Sequence, residues 1–181
     1  MAEYRLTLPL STEKIKDLHV GDIVYLTGKL FTARDEAHQL LLKTPVELVP
    51  FDFDDLGLYH CGPLMKKEGD SWNVIAAGPT TSSRLELFEP ELLDRFPKLN
   101  VIIGKGGMGK KTLQSLKNRG VYLSYTGGAA ALAADQIIDV EDVFWLEELG
   151  MAEAVWLFQV DSFGPLIVGM DAHGRSLYDI K

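Results

Sequence analysis

The order of elements in this sequence predicts an α/β fold with mixed sheets. Three observations carry the prediction. Short apolar or alternating runs, strand-like in length, recur along the whole chain. A single amphipathic helix stands among the strands of the first half, and from residue 99 the pattern becomes β-loop-α-β. A regular doubly wound sheet would need strict strand–helix alternation throughout.

The elements follow in order. Tyr4-Arg5-Leu6-Thr7-Leu8-Pro9-Leu10 alternates and predicts a strand, with Pro9 marking a sheet edge. Ile15, Leu18 and Val20 precede a Gly21-Asp22 turn into a strand over 23–28. Thr32, with Asp35 three residues on, has the spacing of a capping box and starts a helix over 33–43. Ala37, Leu40 and Leu41 share one face of it, and Thr44-Pro45 ends it.

The middle, 52–70, is rich in turn residues, with short strands predicted at 58–61 and 72–77. Gly78-Pro79 bends into a polar run ending at Arg84, and a helix over 89–95 stops near Pro97. Strand 99–103, a glycine loop, helix 109–119, the stop Gly120 and strand 121–125 come next. Gly127-Gly128 precedes an Ala-rich helix; strands at 154–160 and 165–171 follow, and residues 172–175 form a hairpin turn.

At 181 residues the chain is expected to be one domain, 1–181. No apolar run approaches the roughly 20 residues of a membrane span, and no signal-peptide layout opens the chain, so a cytoplasmic location is expected. A net charge of −8 argues against nonspecific nucleic-acid binding, which needs an excess of Lys and Arg. It does not forbid an anionic substrate, because a local cation cluster dominates its own pocket. The one cysteine, Cys61, cannot by itself form an internal disulfide, a zinc site or an iron–sulfur cluster.

Gly104-Lys105-Gly106-Gly107-Met108-Gly109 admits several readings. Gly104, Gly106 and Gly109 fit a dinucleotide fingerprint, but no acidic residue follows at the end of the next strand to bind a ribose. Gly104, Gly109 and Lys110 nearly fit a P-loop, but Lys111 stands where a magnesium-binding hydroxyl is required. The loop can also be a tight turn with Lys105 solvated, or a turn that presents Lys105 to a small anion.

Three further clusters bear on this choice. Arg34 falls in the first turn of its helix, where a cation opposes the dipole, so it is either neutralised by Asp35 or Glu36 or faces a carboxylate, with His38 supporting that face. Thr80-Thr81-Ser82-Ser83-Arg84 is a solvated loop and cap, or a carboxylate receiver in which Arg84 binds bidentately. His60-Cys61-Gly62-Pro63 reads as a strand-ending turn rather than a metal or thiol site.

Taken together and in order, Gly28-x-x-x-Thr32-Ala33-Arg34-Asp35-x-Ala37-His38, Gly-Pro-Thr-Thr-Ser-Ser-Arg at 78–84 and Gly-Lys-Gly-Gly-Met-Gly at 104–109 resemble a known family. It is the beta subunit of class I fumarate hydratases and L-tartrate dehydratases, equivalent to the C-terminal domain of the single-chain forms. The resemblance covers about residues 5–180. It implies a swivelling β/β/α three-layer domain and reversible hydration of fumarate to L-malate, with tartrate dehydration as the alternative. It also implies a [4Fe-4S] cluster on three cysteines of a partner alpha subunit, possible α2β2 assembly, and no metal held by this chain. Matched by motif, Arg34, Arg84 and Lys105 would bind the dicarboxylate and Thr80 would be the catalytic base, with His38, Thr81, Gly104 and Gly106 in support. An isolated threonine hydroxyl is a very poor base, so Thr80 needs activation by cations or a proton relay. A nucleotide-binding module using the Gly104–Gly109 loop is the reading of a different class.

Overall fold

The computed structural model describes residues 1–178. The first strand, β1 (Glu3–Thr7), ends before Pro9 instead of running through it. Ser11 then caps α1 (Thr12–Asp17), a short helix absent from the sequence reading, by accepting the Lys14 N–H while Ile15 is buried. β2 (Ile23–Thr32) continues past Gly28, its expected end.

Thr32 is therefore the last residue of a strand, not a helix cap. Its hydroxyl accepts the Trp156 N–H and donates to the Ala154 carbonyl, so no capping box forms. α2 (Asp35–Lys43) starts one residue after Arg34, which occupies the N-cap position without a side-chain capping bond. A tight 3-10 turn at Val46–Leu48 leads on to β3 (Leu56–Tyr59). β4 (Leu64–Glu68) and β5 (Ser71–Ala76) make an antiparallel hairpin around Gly69-Asp70, and β4 was not foreseen.

A second 3-10 turn, Ser83–Leu87, enters α3 (Glu89–Arg95). Then come β6 (Val101–Gly104), α4 (Lys110–Leu116), β7 (Val121–Tyr125), α5 (Ala130–Asp135), β8 (Ile137–Phe144), α6 (Leu146–Leu149) and β9 (Val155–Met170). β8 escaped the sequence reading because Asp139, Glu141 and Asp142 interrupt its apolar pattern; it lies at a sheet edge, where outward charge is tolerated. β9 is one strand of 16 residues where two were expected. An extra residue near Asp161-Ser162, opposite β2, forms a bulge that absorbs the bend without ending the pairing.

The strands form a seven-stranded mixed sheet in the order β1-β2-β3-β6-β7-β9-β8, beside the two-stranded hairpin. β9 also pairs antiparallel with β2, so β2, β3, β6, β7 and β9 close into a ring. β1 lies at an edge, as Pro9 suggested. Period-two patterning divides the core: Tyr59, Val101, Ile103 and Leu123 point to one side of the sheet. Leu58, Ile102 and Tyr122 point to the other, against Ala37 and Leu41 of α2 and Leu92 and Leu93 of α3. β2, β3, β6 and β7 run parallel, so their C-terminal ends lie together at one end of the ring.

Candidate active site

That end carries the sequence-predicted residues, as open parallel sheets generally place ligand sites beyond their carboxyl ends. Arg34 follows β2, His60 follows β3 and Lys105 follows β6. The 78–84 segment is threaded between the last two. The Thr80 N–H donates to the His60 carbonyl at 2.7 Å, the Lys105 N–H donates to the Thr80 carbonyl at 3.2 Å, and the Ser82 N–H donates to the Lys105 carbonyl at 3.0 Å. Thr81 forms a parallel bridge with Lys105, and Pro79 an antiparallel one with Cys61. Backbone bonding thus makes neighbours of residues far apart in sequence.

The side chains continue the connection. Arg84 Nε donates to Asp35 Oδ1 at 2.9 Å and Oδ2 at 3.0 Å, and its Nη2 donates to the Thr80 hydroxyl at 2.8 Å. Burial would raise the Asp35 pKa, but the Arg84 hydrogen bond and charge outweigh it and hold the carboxyl below its ordinary value. Among the described residues these contacts leave both Nη1 hydrogens and one on Nη2 free for a carboxylate. Arg34 Nε lies 3.3 Å from Glu153 Oε1, and Glu153 Oε2 accepts the Glu36 N–H at 2.9 Å. Arg34 is therefore paired with Glu153 and Arg84 with Asp35; the alternative in which Asp35 or Glu36 neutralises Arg34 is not what forms. Lys105 has no ion-pair partner among the described residues, and its stem passes the turn after β7, where a Cβ on Gly127 would lie 3.3 Å from Lys105 Cδ.

The glycine loop has an explanation in packing. A Cβ on Gly104 would stand 1.8 Å from Ser82 Oγ and 2.9 Å from His60 Nδ1, so only glycine fits. Gly106 has φ +74°, a backbone conformation that L side chains rarely adopt. The N-terminus of α4, which a nucleotide phosphate would need, is occupied by the chain's own Glu86. Its carboxylate accepts the N–H groups of Gly109 at 2.7 Å, Lys111 at 3.0 Å and Thr112 at 3.2 Å, and the Thr112 hydroxyl at 2.6 Å.

Beneath the surface lies a buried polar cluster. His60 Nε2 is 2.6 Å and His38 Nε2 2.9 Å from the same oxygen, Glu89 Oε1, and all three side chains are fully buried. His38 Nδ1 faces the Arg34 carbonyl at 2.5 Å, so His38 supports the site through Arg34's backbone and not by facing a ligand. Burial would raise the Glu89 pKa, yet the two imidazoles more than offset it and keep the carboxyl well below the carboxylate range. Burial works against a charged His38, but the Glu89 bond and charge raise its pKa; for His60 burial wins and the pKa falls.

These three residues are also a ligand-type trio. Two donors bonded to one divalent ion at about 2.1 Å with tetrahedral angles would sit about 3.4 Å apart. The observed 2.6 and 2.9 Å are hydrogen-bond lengths instead.

Cys61 lies two residues past the end of β3, in its bridge with Pro79 rather than in a turn, and is 1% exposed, with burial pushing its thiol pKa up. A protonated, buried, single thiol does not fit the thiolate set of an iron–sulfur cluster, so this chain supplies no such set. The sequence reading missed Glu153, Glu86, Glu89 and Tyr122, and placed Ser82 in the polar loop without its buried bond to His60. Glu89 had one visible signal: an acid beside Pro90 opens a helix, where the dipole favours it.

A protein of Escherichia coli K12 named L(+)-tartrate dehydratase subunit beta is 42% identical over 175 residues, covering 95% of this chain and 85% of its own length. A Methanocaldococcus jannaschii protein, provisionally given the same subunit name, is 48% identical, with 94% and 88% covered. A Geobacillus stearothermophilus protein, provisionally named fumarate hydratase class I, is 44% identical over 96% of this chain but only 33% of its own length. The family model described as Fumarase C-terminus matches residues 2–180, and the chain belongs to that family.

Proposed function

We propose that this chain is the beta subunit of an iron–sulfur-dependent hydro-lyase that reversibly hydrates fumarate to L-malate. The carrying observation is the convergence of Arg34, Arg84, Thr80 and Lys105 at one end of the parallel strands, linked through Asp35 and the Thr80 backbone. The same arrangement is read as the swivelling β/β/α domain, one domain over 1–181.

A four-carbon dicarboxylate is recognised by cations on both ends. Arg84 offers a free guanidinium edge to one carboxylate, and Arg34 and Lys105 complete the receptor. Removing the proton from the carbon beside a carboxylate places negative charge on that carboxylate, and fixed cations stabilise it without reorganising. In the dehydration direction that proton is removed, the double bond forms, and the hydroxyl on the neighbouring carbon leaves as hydroxide, which with a proton makes the released water. Thr80 is the proton acceptor in this reading. The Arg84 hydrogen bond to its hydroxyl favours the alkoxide form, which answers the weakness of an isolated threonine as a base.

The [4Fe-4S] cluster belongs to an alpha partner with three cysteines, and the surface position of Arg84 leaves the site open for that partner. The assembled enzyme works in the cytoplasm. L-tartrate dehydration is a second reading, favoured by the names of the two relatives that match over most of their length.

The test is an anaerobic assay of both substrates with this chain alone and with the alpha partner. Turnover only in the assembly is expected. Activity of the isolated chain would overturn the shared site, and an inactive assembly on both substrates would overturn the hydro-lyase reading.

A further inference from the structure

We propose that Glu89 is a positioning residue that locks three site-bearing segments together from below, and this rests on the function proposed above. The geometry is a continuous buried line. It starts at the Arg34 carbonyl and passes through His38, Glu89 Oε1 and His60 to Ser82 Oγ, 2.8 Å from His60 Nδ1. Tyr122 Oη stands 2.9 Å from Ser82 Oγ and 3.0 Å from the Gly106 carbonyl. The line thus ends on the backbone of two loops that carry proposed ligand-binding residues, and it crosses the loop of Thr80 and Arg84 at Ser82.

Counting hydrogens sets its polarity. The Arg34 carbonyl only accepts, so His38 Nδ1 carries a proton. A carboxylate only accepts, so both Nε2 atoms carry protons as well. His38 is therefore an imidazolium, while His60 has a lone pair at Nδ1 that takes the Ser82 hydroxyl hydrogen. The Tyr122 hydrogen serves Ser82 and the Gly106 carbonyl between them. The Ser82 and His60 hydrogens point toward Glu89, and the charge of one carboxylate holds His38 doubly protonated. Its other oxygen, Oε2, is buried without a donor among the described residues, so the two imidazoles are the carboxylate's stabilisation. Its interior members His38, His60, Ser82, Glu89 and Tyr122 are all fully buried, and only its ends, at Arg34 and Gly106, approach the surface.

A neutral amide in place of Glu89 keeps the shape but removes the charge that retains the second proton on His38. With one proton left, His38 can no longer donate both to the Arg34 carbonyl and to residue 89, and the three segments lose their common anchor. A misplacement of about 1 Å in a site of this kind costs about 10²-fold in rate.

The test is Glu89→Gln in the enzyme assembled with its alpha partner, together with nitrogen-15 NMR of the full chain. The expected kinetic result is a dicarboxylate KM raised about tenfold and kcat/KM lowered about 10²-fold. A variant that merely misfolds in part reduces the amount of active enzyme and leaves KM unchanged, so a wild-type KM would overturn the proposal. In the wild-type chain at neutral pH, His38 should be protonated at both ring nitrogens and His60 at Nε2 only. In the variant His38 should lose one proton, and amide signals of residues 33–35, 80–84 and 105–107 should shift together. A neutral wild-type His38, or shifts confined to α3, would overturn it. So would one equivalent of tightly retained divalent metal that Glu89→Gln releases. The NMR result does not depend on turnover, so an enzyme inactive on both substrates would refute the hydro-lyase reading separately.

Discussion

Arg84 stands between two partners with different tasks: its Nε edge grips the Asp35 carboxylate while Nη2 donates to the Thr80 hydroxyl at 2.8 Å. One side chain thus orients itself on an acid, tunes a hydroxyl and keeps hydrogens free for a ligand. A lysine ammonium at the same place has no planar fork with which to do all three. Arg84→Lys is predicted to lower kcat/KM of the assembled enzyme by about 10²-fold, or about 3 kcal/mol. Steady-state kinetics check this, and a variant within a fewfold of wild type would count against the assignment.

Asp35 should matter through the arginine it holds. Asp35→Asn keeps the shape and removes the charge, and a loss of about tenfold in kcat/KM is expected, with little change in thermal midpoint because the pair is partly exposed. A loss reproduced by Asp54→Asn, whose partner is Lys98 outside the site, would point to a general electrostatic effect instead.

The two buried histidines predict opposite pH limbs of stability. The His38 pKa is raised on folding, so its contribution is complete below about 6.5 and is lost as pH rises through the folded value. The His60 pKa is lowered, so the unfolded chain takes up a proton first and stability falls as pH drops below about 6.5. The Glu89 pKa is also lowered, and its contribution is lost in more strongly acid solution as pH falls through the folded value. Urea unfolding across pH should show His38→Gln flattening the alkaline limb and His60→Gln the acid one. The same limb changing in both variants would refute the assignment of charges.

Gly104→Ala tests the close packing of loop against loop. The added carbon would meet Ser82 Oγ at 1.8 Å, so either the Ser82–His60 bond breaks or the backbone moves. Overpacking of this kind costs about 1–3 kcal/mol. An unchanged urea midpoint would show that the loop yields freely.

Glu86→Ala should cost about 1–2 kcal/mol by uncapping α4, since its carboxylate serves several of the helix's free N–H groups. In the same measurement ATP and NAD should leave the wild-type melting temperature unmoved. A clear stabilisation by either would revive a nucleotide role for the glycine loop.

Much of the site was legible because its residues sit in local motifs, and motifs survive without knowledge of the fold. Arg34, Thr80, Arg84 and Lys105, the proposed ligand-binding residues, all sit in such motifs, and the helices over α2, α3 and α4 followed from periodicity and stop signals. What could not be read was pairing at a distance. Glu153 reaches Arg34 across 119 positions of chain, as the Glu36–Glu153 contact spanning 117 shows, and no local pattern announces it. Glu89 and His60 looked ordinary alone; their chemistry exists only where α3 lies over the ends of β3 and β6. Thr32 misled for the same reason, since its hydroxyl was claimed by β9 rather than by its own helix.

β9 carries a consequence for how this protein is made. The ring closes when β9 joins β2, and Thr32 meets Trp156 across 124 positions of sequence. On a ribosome, Arg34, Thr80 and Lys105 all emerge long before the strand that seals the sheet beneath them. Until then β2 and β7 expose unpaired edges, and the loop entropy of that last closure is still to be met. The nascent chain thus carries its ligand-binding residues early but acquires their fixed arrangement late, which makes the interval before β9 emerges the time when it most needs protection from aggregation.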